Sequence, residues 1–260
     1  PWLLDEYAYP ETENGQRAYA LARDCIQYVL SGPPDLHVQH VLSPITAATT
    51  VALLNYLGVV GIRDGTPTRG RIFSGISFQH RIIEDKDTAE DKKTIVSWWK
   101  ANRESAQIER LPTGLDLTGS TIACVSIGTP MVRLRAPDSN LVGCDIGDIE
   151  QSDFSDAWFE QVNAPKRQIR DTQLTGAVVA DGDLSGTTLT NVAGRHMLWY
   201  EGKQRGIVIN ESDLDDSAYV GGDWSNARFR NTSMRRTIAI RTTFADTVWD
   251  GTTVEEAQMQ

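Results

Sequence analysis

The chain has 260 residues, is 40% hydrophobic and 23% charged, and carries a formal net charge of -10, which allows one large core or two ordinary ones. Residues 1–110 hold 14 acidic and 12 basic side chains, whereas residues 111–260 hold 21 and 13. The second part therefore lacks the clustered Lys and Arg of a nucleic-acid groove, and its acidity suits a basic partner, including a protein surface that normally receives DNA. Three cysteines, Cys25, Cys124 and Cys144, are too few for a disulfide framework and fit a reducing cytoplasm. No apolar run reaches the length of a membrane span; the most apolar stretch, Val51–Ile62, is short and contains Asn55. No signal peptide is visible, and the chain opens at Pro1 rather than Met, which leaves room for a removed leader or membrane anchor.

In chain order, the first expected element is a helix over Gln16–Leu30, with Ala18, Leu21, Ala22, Cys25, Ile26, Val29 and Leu30 on one face. Ser31-Gly32-Pro33-Pro34 ends it. A second helix runs from Ser43-Pro44, cap and first turn, to Leu57. Short strands are expected within Val59–Arg63 and Arg71–Ile83, followed by a third helix over Thr88–Ser105 that opens with a Thr88-to-Asp91 cap and buries Ile95, Val96, Trp98 and Trp99. Residues 1–110 thus read as a mainly helical domain, packed against or capping the start of the second part near Leu115.

From Leu115 to Val254 the periodicity changes to five. Stepping by five from Phe154 gives Phe159, Ala164, Ile169, Leu174, Val179, Leu184, Leu189, Gly194, Trp199, Gln204, Ile209, Leu214, Tyr219, Trp224, Phe229, Met234, Ala239, Phe244, Trp249 and Val254. Only Gly194 and Gln204 are poor core residues. Two positions before each centre lies a mostly small residue, as in Ser152, Ala157, Thr172, Ala177, Gly182, Ser212, Ser217 and Thr232, with Arg167 and Met197 as exceptions. Neither a helix nor a simple strand produces this period. One large residue per five points inward, and Asp, Asn, Ser, Thr and Gly between the centres turn the chain by about a right angle. Four such sides close a coil of about twenty residues, and coils stack at roughly 4.8 Å. The predicted core includes Phe154, Phe159, Ile169, Leu174, Leu184, Leu189, Ile209, Leu214, Trp224, Phe229, Phe244 and Trp249.

The units Leu115-Asp116-Leu117-Thr118-Gly119, Gly182-Asp183-Leu184-Ser185-Gly186 and Ser212-Asp213-Leu214-Asp215-Asp216 resemble those of the pentapeptide-repeat family. The resemblance implies a right-handed quadrilateral β-helix, and it specifies fold far better than function. The domain reading is therefore 1–110 helical, 111–254 β-helix and 255–260 a polar tail. Upstream of Phe154 the register shifts twice. Leu117, Ile122, Ile127 and Val132 share one frame and Leu141 and Ile146 another. The shifts, at Arg133–Pro137 and around Ile149–Gln151, are expected to be bulges or loops projecting from a corner.

Chemistry is sparse. His37 and His40 have a metal-like spacing but no third ligand. His80 and His196 have no nucleophile beside them in sequence, and the Gly65–Arg71 loop lacks the terminal Lys-Ser/Thr of a phosphate loop. Cys144 falls at a small inward position as core filler. Asn210-Glu211-Ser212 and Asn231-Thr232-Ser233 match the glycosylation pattern by accident, given an intracellular reading. No catalytic constellation, metal site or cofactor site emerges.

The segment Ala193–Gly206 stands out, because the weak centres Gly194 and Gln204 bracket a basic, aromatic cluster. It is expected to depart from regular coil geometry, to leave Met197, Leu198, Trp199 and Tyr200 partly exposed, and to present Arg195, His196, Trp199, Tyr200, Lys203 and Arg205 to a partner; the acidic corners Asp213, Asp215 and Asp216 are the fallback. The leading functional expectation is a non-enzymatic, cytoplasmic protein-interaction scaffold with an unidentified protein partner and no direct nucleic-acid binding. The resemblance adds a rival, an acidic DNA mimic that binds DNA gyrase or another topoisomerase. Arg228, Arg230, Arg235, Arg236 and Arg241 weigh against it by making the last coils basic, as does the polar chain end Glu255–Gln260. An enzyme confined to residues 1–110 is the third alternative.

Overall fold

One aspartate shows how a five-residue unit turns. In Asp183-Leu184-Ser185 the Asp183 carboxylate accepts the backbone N–H of Ser185 at 3.0 Å, and Asp116, Asp153, Asp213 and Asp223 do the same two residues on. That side-chain turn leads into a corner residue with positive φ, repeated at every fifth position: Asp181, Gly186, Asn191, His196, Glu201, Gly206 and Glu211 all have φ between 50 and 68°. The centre points inward, and the buried hydroxyls at the small positions bond backbone carbonyls, as Ser212 Oγ does to Asn210 O at 2.7 Å and Thr172 Oγ1 to Arg170 O at 2.7 Å.

The result is a parallel β-solenoid. The computed structural model describes residues 72–74, 107–108, 111, 113–123 and 125–259. Four ladders run along the rod. A nine-stranded parallel sheet carries Trp158–Glu160, Val178–Ala180, Leu198–Tyr200, Ala218–Val220 and Ile238–Ile240 among its strands, and a seven-stranded sheet carries Gln168–Arg170, Thr188–Thr190, Val208–Asn210 and Arg228–Arg230. The remaining walls are ladders of single bridges, Asp153↔Gln173↔Ala193↔Asp213↔Ser233↔Thr253 and Asn163↔Asp183↔Lys203↔Asp223↔Thr243. From Ile149 onward every partner on the following coil lies twenty residues on, as Ile169↔Leu189↔Ile209↔Phe229 shows.

The expected centres from Phe154 to Ala239 are all buried. Phe244 is only partly buried, while Trp249 and Val254 are 36% and 42% exposed, because no further coil among the described residues stacks on them. The core assignment of Phe244 and Trp249 therefore needs correction: they form the end of the stack. The ladder also outruns its expected limits. Gln258–Met259 pairs with Ile238–Ala239, inside the stretch read as a tail. At the other end, Ile72–Ser74 pairs with Thr121–Ala123, and Gln107–Ile108 pairs with Ser126–Ile127. Ile72–Ser74 falls within the expected Arg71–Ile83 strand region. The expected helices, Val59–Arg63, His37, His40, His80, Gly65–Arg71 and the side chains of Cys25 and Cys124 lie outside the described residues.

The two register shifts are not projecting loops. Ile127 pairs with Ile146, nineteen residues on, and Met131 with Ile149, eighteen on. Two corners have thus lost residues: the centre after Ile127 is Met131, buried where Val132 is not, and the centre after Ile146 is Ile149. The shortened corners, at Gly128–Pro130 and Gly147–Asp148, stack on each other. A Cβ on Gly147 would lie 2.5 Å from Thr129 O, so this position accepts no side chain. Asp148 Oδ1 then accepts the Gln168 N–H at 2.8 Å, a role that Arg167 O and Thr187 O fill for Thr188 and Val208 in full-length corners.

Arg195–Arg205 follows regular coil geometry, contrary to the sequence expectation. Met197 and Trp199 are each 1% exposed, and Trp199 pairs in register with Val179 and Tyr219. The interior is shared among four walls, so a missing centre is filled from its neighbour. A Cβ on Gly194 would stand 2.7 Å from Met197 Sδ and 2.8 Å from Leu214 Cδ2, which occupy the volume a larger centre would take. Gln204 is fully buried; its Nε2 donates to Glu201 O at 3.3 Å, while Oε1 has no hydrogen-bond donor among the described residues. Gln204→Leu removes that unsatisfied acceptor at nearly constant volume, and should stabilise the fold by about 1 kcal/mol. Urea unfolding followed by circular dichroism checks this, and a lower midpoint would show that the amide is better satisfied than its geometry indicates.

Candidate interaction surface

A three-residue strand turns its middle residue inward and its two flanking residues outward. On the seven-stranded sheet these outward pairs are Gln168/Arg170, Thr188/Thr190, Val208/Asn210, Arg228/Arg230 and Val248/Asp250, a mostly polar face with Val248 exposed at its end. On the nine-stranded sheet they are Trp158/Glu160, Val178/Ala180, Leu198/Tyr200, Ala218/Val220 and Ile238/Ile240. One charged residue thus stands among ten positions. Trp158, Tyr200, Ile238 and Ile240 are 42%, 41%, 42% and 37% exposed. Both faces share one backbone geometry, so the fold does not dictate the apolar choice. A contiguous apolar stripe of this kind marks a contact surface.

Two rows of corners border the stripe. The row after the strands is Gln161, Asp181, Glu201, Gly221 and Arg241. The row before them contains Arg195, His196, Asp215, Asp216, Arg235 and Arg236, and it is internally paired. Arg236 Nε and Nη2 hold Asp216 Oδ1 and Oδ2 at 2.6 and 2.7 Å, and Arg195 Nη2 adds a third bond to Asp216 at 3.1 Å. Asp216 therefore ties three successive coils. The Arg236 guanidinium, joined by Arg195, holds its carboxyl well below the usual carboxylate range, despite some opposing desolvation. A depressed folded-state value stabilises above the unfolded value of about 4. The stability difference between the wild type and Asp216→Asn should accordingly be largest at neutral pH and shrink as the pH falls through 4 and below. Thermal melts between pH 7 and pH 3 test this; a constant difference would mean that the network adds nothing through charge.

The structure separates the expected partner-binding residues into three groups. Trp199 is core. Asp213 and Asp215 are committed to local structure: Asp213 turns its own corner, and Asp215, only 8% exposed, accepts Ser233 Oγ at 2.6 Å and Arg235 N–H at 2.8 Å. Arg195, His196, Tyr200, Lys203 and Arg205 are exposed, with Tyr200 on the apolar stripe, Arg195 and His196 on its border, and Lys203 and Arg205 on the next wall, where Arg205 meets Asp223 at 3.4 Å. Sequence reading picked out Leu198 and Tyr200 but missed Trp158, Ile238 and Ile240 as parts of the same surface, because their shared face repeats every twenty residues rather than every five. Cys144 is buried and donates to Ile122 O at 3.3 Å, as a core filler does. A shallow polar groove of about 500 Å³ crosses another corner, lined by Asp171, Asn191, Glu211, Asp213 and Asn231 among others. Among the described residues no three His, Cys, Asp or Glu side chains converge as metal ligands, and no helix is long and apolar enough to cross a membrane.

With the five-residue register and the four ladders in place, the likeness is to pentapeptide-repeat proteins. No family model and no curated protein matches the chain. Among solved structures it is similar to a trypsin-treated form of QnrB1, a plasmid-mediated fluoroquinolone resistance protein, at 14% identity and TM-score 0.42, over 57% of this chain and 78% of that one. It is also similar to HetL, a pentapeptide repeat protein involved in heterocyst differentiation regulation from the cyanobacterium Nostoc sp. strain PCC 7120, at 13% identity and TM-score 0.25, over 59% and 82%. A third is Rfr23, a pentapeptide repeat protein from the cyanobacterium Cyanothece 51142, at 14% identity and TM-score 0.14, over 74% and 83%.

Proposed function

We propose that the chain is a non-enzymatic protein-interaction scaffold, coiled in the right-handed sense its repeat implies, and that the outer face of the nine-stranded sheet is its principal contact surface. The observation that carries this reading is the apolar outward row from Trp158 to Ile240, in contrast to the mostly polar outward row of the seven-stranded sheet on the opposite wall. Exposed aromatic and aliphatic side chains on a rigid, fully paired wall lose little entropy on binding, and Tyr200 and Trp158 are residue types that dominate contact energies. Arg195 and His196 border this surface and contribute its polar rim. Affinity capture by the full chain, compared with Leu198→Asp/Tyr200→Asp, tests the reading. The two substitutions lie outside the core, so folding should persist, and specific capture should fall at least tenfold. Undiminished capture by a folded double variant would remove this face from the account.

The acidic, DNA-mimicking reading with a gyrase or topoisomerase partner is the alternative. It draws on the carboxylates of Asp171 and Glu211 in one row of corners and of Asp181 and Glu201 in another, and is opposed by exposed Arg228 and Arg230 on the seven-stranded sheet. A gyrase supercoiling assay with purified protein decides it: inhibition that survives Leu198→Asp/Tyr200→Asp would favour the acidic corners over the apolar face.

A further inference from the structure

We infer that the partner of the apolar face is a second copy of this chain, its rod antiparallel to the first, related by a two-fold axis passing between Leu198–Tyr200 and Ala218–Val220. This rests on reading the face as a contact surface and names what it contacts.

Three features of the face carry the inference. The first is the alternation of side-chain size along the rod: Leu198/Tyr200 are large, Ala218/Val220 small, Ile238/Ile240 large and Val178/Ala180 small. A two-fold axis lying in the contact plane, across the rods, keeps each column of outward residues opposite its own column and reverses their order. Leu198 then lies over Ala218 of the second copy, Tyr200 over Val220, Val178 over Ile238 and Ala180 over Ile240. Every pair sets bulk against a smaller side chain, as packed sheet faces about 10 Å apart require. A two-fold axis along the rods would instead set Leu198 over Tyr200 and Ile238 over Ile240, leaving gaps at the smaller levels.

The second feature is charge. In the antiparallel register Asp181 comes level with Arg241 of the second copy and Glu201 with Gly221. On the other border Arg195 and His196 come level with Asp215 and Asp216, both already engaged within their own chain, while Thr175 and Gly176 face Arg235 and Arg236. Across these four levels no like charges meet; one level further out, where Trp158 lies over Gln258, Asp156 comes level with Glu256. The parallel arrangement would bring Arg241 against Arg236. The third feature is that over its four central levels one register satisfies both size and charge, although the two sets of residues lie on different parts of the coil.

Six strands overlap in this register, from Trp158–Glu160 to Gln258–Met259; at roughly 4.8 Å spacing and about 10 Å of strand they make a face of about 300 Å², well below a standard interface of about 800 Å² per partner. Self-association should therefore be reversible and concentration-dependent, in roughly the micromolar range.

Sedimentation velocity of the full chain over a wide concentration series tests the inference. The expected result is a shift from 28.8 kDa to about twice that mass. Leu198→Asp should hold the chain monomeric. Arg241→Glu alone and Asp181→Arg alone each place like charges together twice by symmetry, and should each weaken dimerisation roughly tenfold. An equimolar mixture of those two variants restores both opposite-charge pairs and should dimerise as the wild type does; rescue in the mixture is a result that mere surface damage does not give. A wild type that stays monomeric at every concentration overturns the inference, as does a dimer indifferent to Leu198→Asp and to charge reversal, which would place association at the Trp249 end. If the chain is monomeric but Leu198→Asp/Tyr200→Asp still abolishes capture of another protein, the contact face stands and only the second copy fails as its partner. If neither effect is seen, both readings fail.

Discussion

Replacing Trp224 with Ala should destabilise the rod by about 3–5 kcal/mol, at the upper end of single core substitutions. Trp224 is fully buried and sits where aromatic rings from three walls meet. Trp199 and Tyr219 approach it edge-on with centroids at 5.1 Å, Phe229 stacks at 6.1 Å, and Phe244 lies at 6.1 Å. Edge and offset contacts of this kind add to burial alone. A solenoid cannot collapse around the resulting hole, because each coil is held in register by backbone bonds to both neighbours, such as Trp224 N–H to Thr243 O at 2.8 Å. Denaturant unfolding of the wild type and Trp224→Ala measures the effect. A loss under 1 kcal/mol would show that the aromatic cluster is not tightly packed. The exposed control Trp158→Ala should change stability little, since Trp158 lies on the outer face.

Gly202→Ala should cost roughly 2–5 kcal/mol. Its φ is +89°, and a Cβ there would lie 2.6 Å from Gly182 O and 3.0 Å from Gly182 N, both backbone atoms that cannot swing aside. Left-handed strain contributes about 1–2 kcal/mol, and forced overpacking about 1–3 kcal/mol. Gly182, Gly202 and Gly222 occupy one column of the stack, and the glutamine amide of Gln204 fills part of the space they leave: a Cβ on Gly202 would be 2.9 Å from its Nε2 and one on Gly222 3.0 Å from its Oε1. Combining Gly202→Ala with Gln204→Ala should recover only the side-chain part of the loss, leaving the backbone clash. Full recovery in a double-mutant cycle would show that the amide, rather than the backbone of Gly182, sets the limit.

The centres were legible because one large apolar residue per five stands out against polar corners, and from Phe154 to Ala239 that signal survives even at Gly194 and Gln204. What those two positions do was not legible. A sequence written as separate units hides that Met197 and Leu214, on other walls, fill the place of a missing side chain. The shortened corners were misplaced for a related reason. Met131 and Val132 are adjacent and both apolar, so only the pairing of Met131 with Ile149 reveals which is the centre. The first coil was invisible as a repeat because its strands, Ile72–Ser74 and Gln107–Ile108, are far apart in sequence. The apolar face went unseen because its residues flank every fourth centre, and a search at period five averages them with the polar flanks of the other three walls.

Both the stack and its contact face depend on the coil being unbroken from Asn191 to Glu211, since a loop there would remove Leu198 and Tyr200 from between Val178/Ala180 and Ala218/Val220. Hydrogen–deuterium exchange of the full chain tests that continuity most directly. Backbone bonds such as His196 N–H to Asp215 O at 3.0 Å, Leu198 N–H to Ala177 O at 3.0 Å and Glu201 N–H to Val220 O at 2.7 Å should protect peptides covering 191–211 as strongly as those covering 171–190 and 212–230. Fast exchange confined to Arg195–Arg205, with protection on both sides, would contradict the account by showing that this segment leaves the rod.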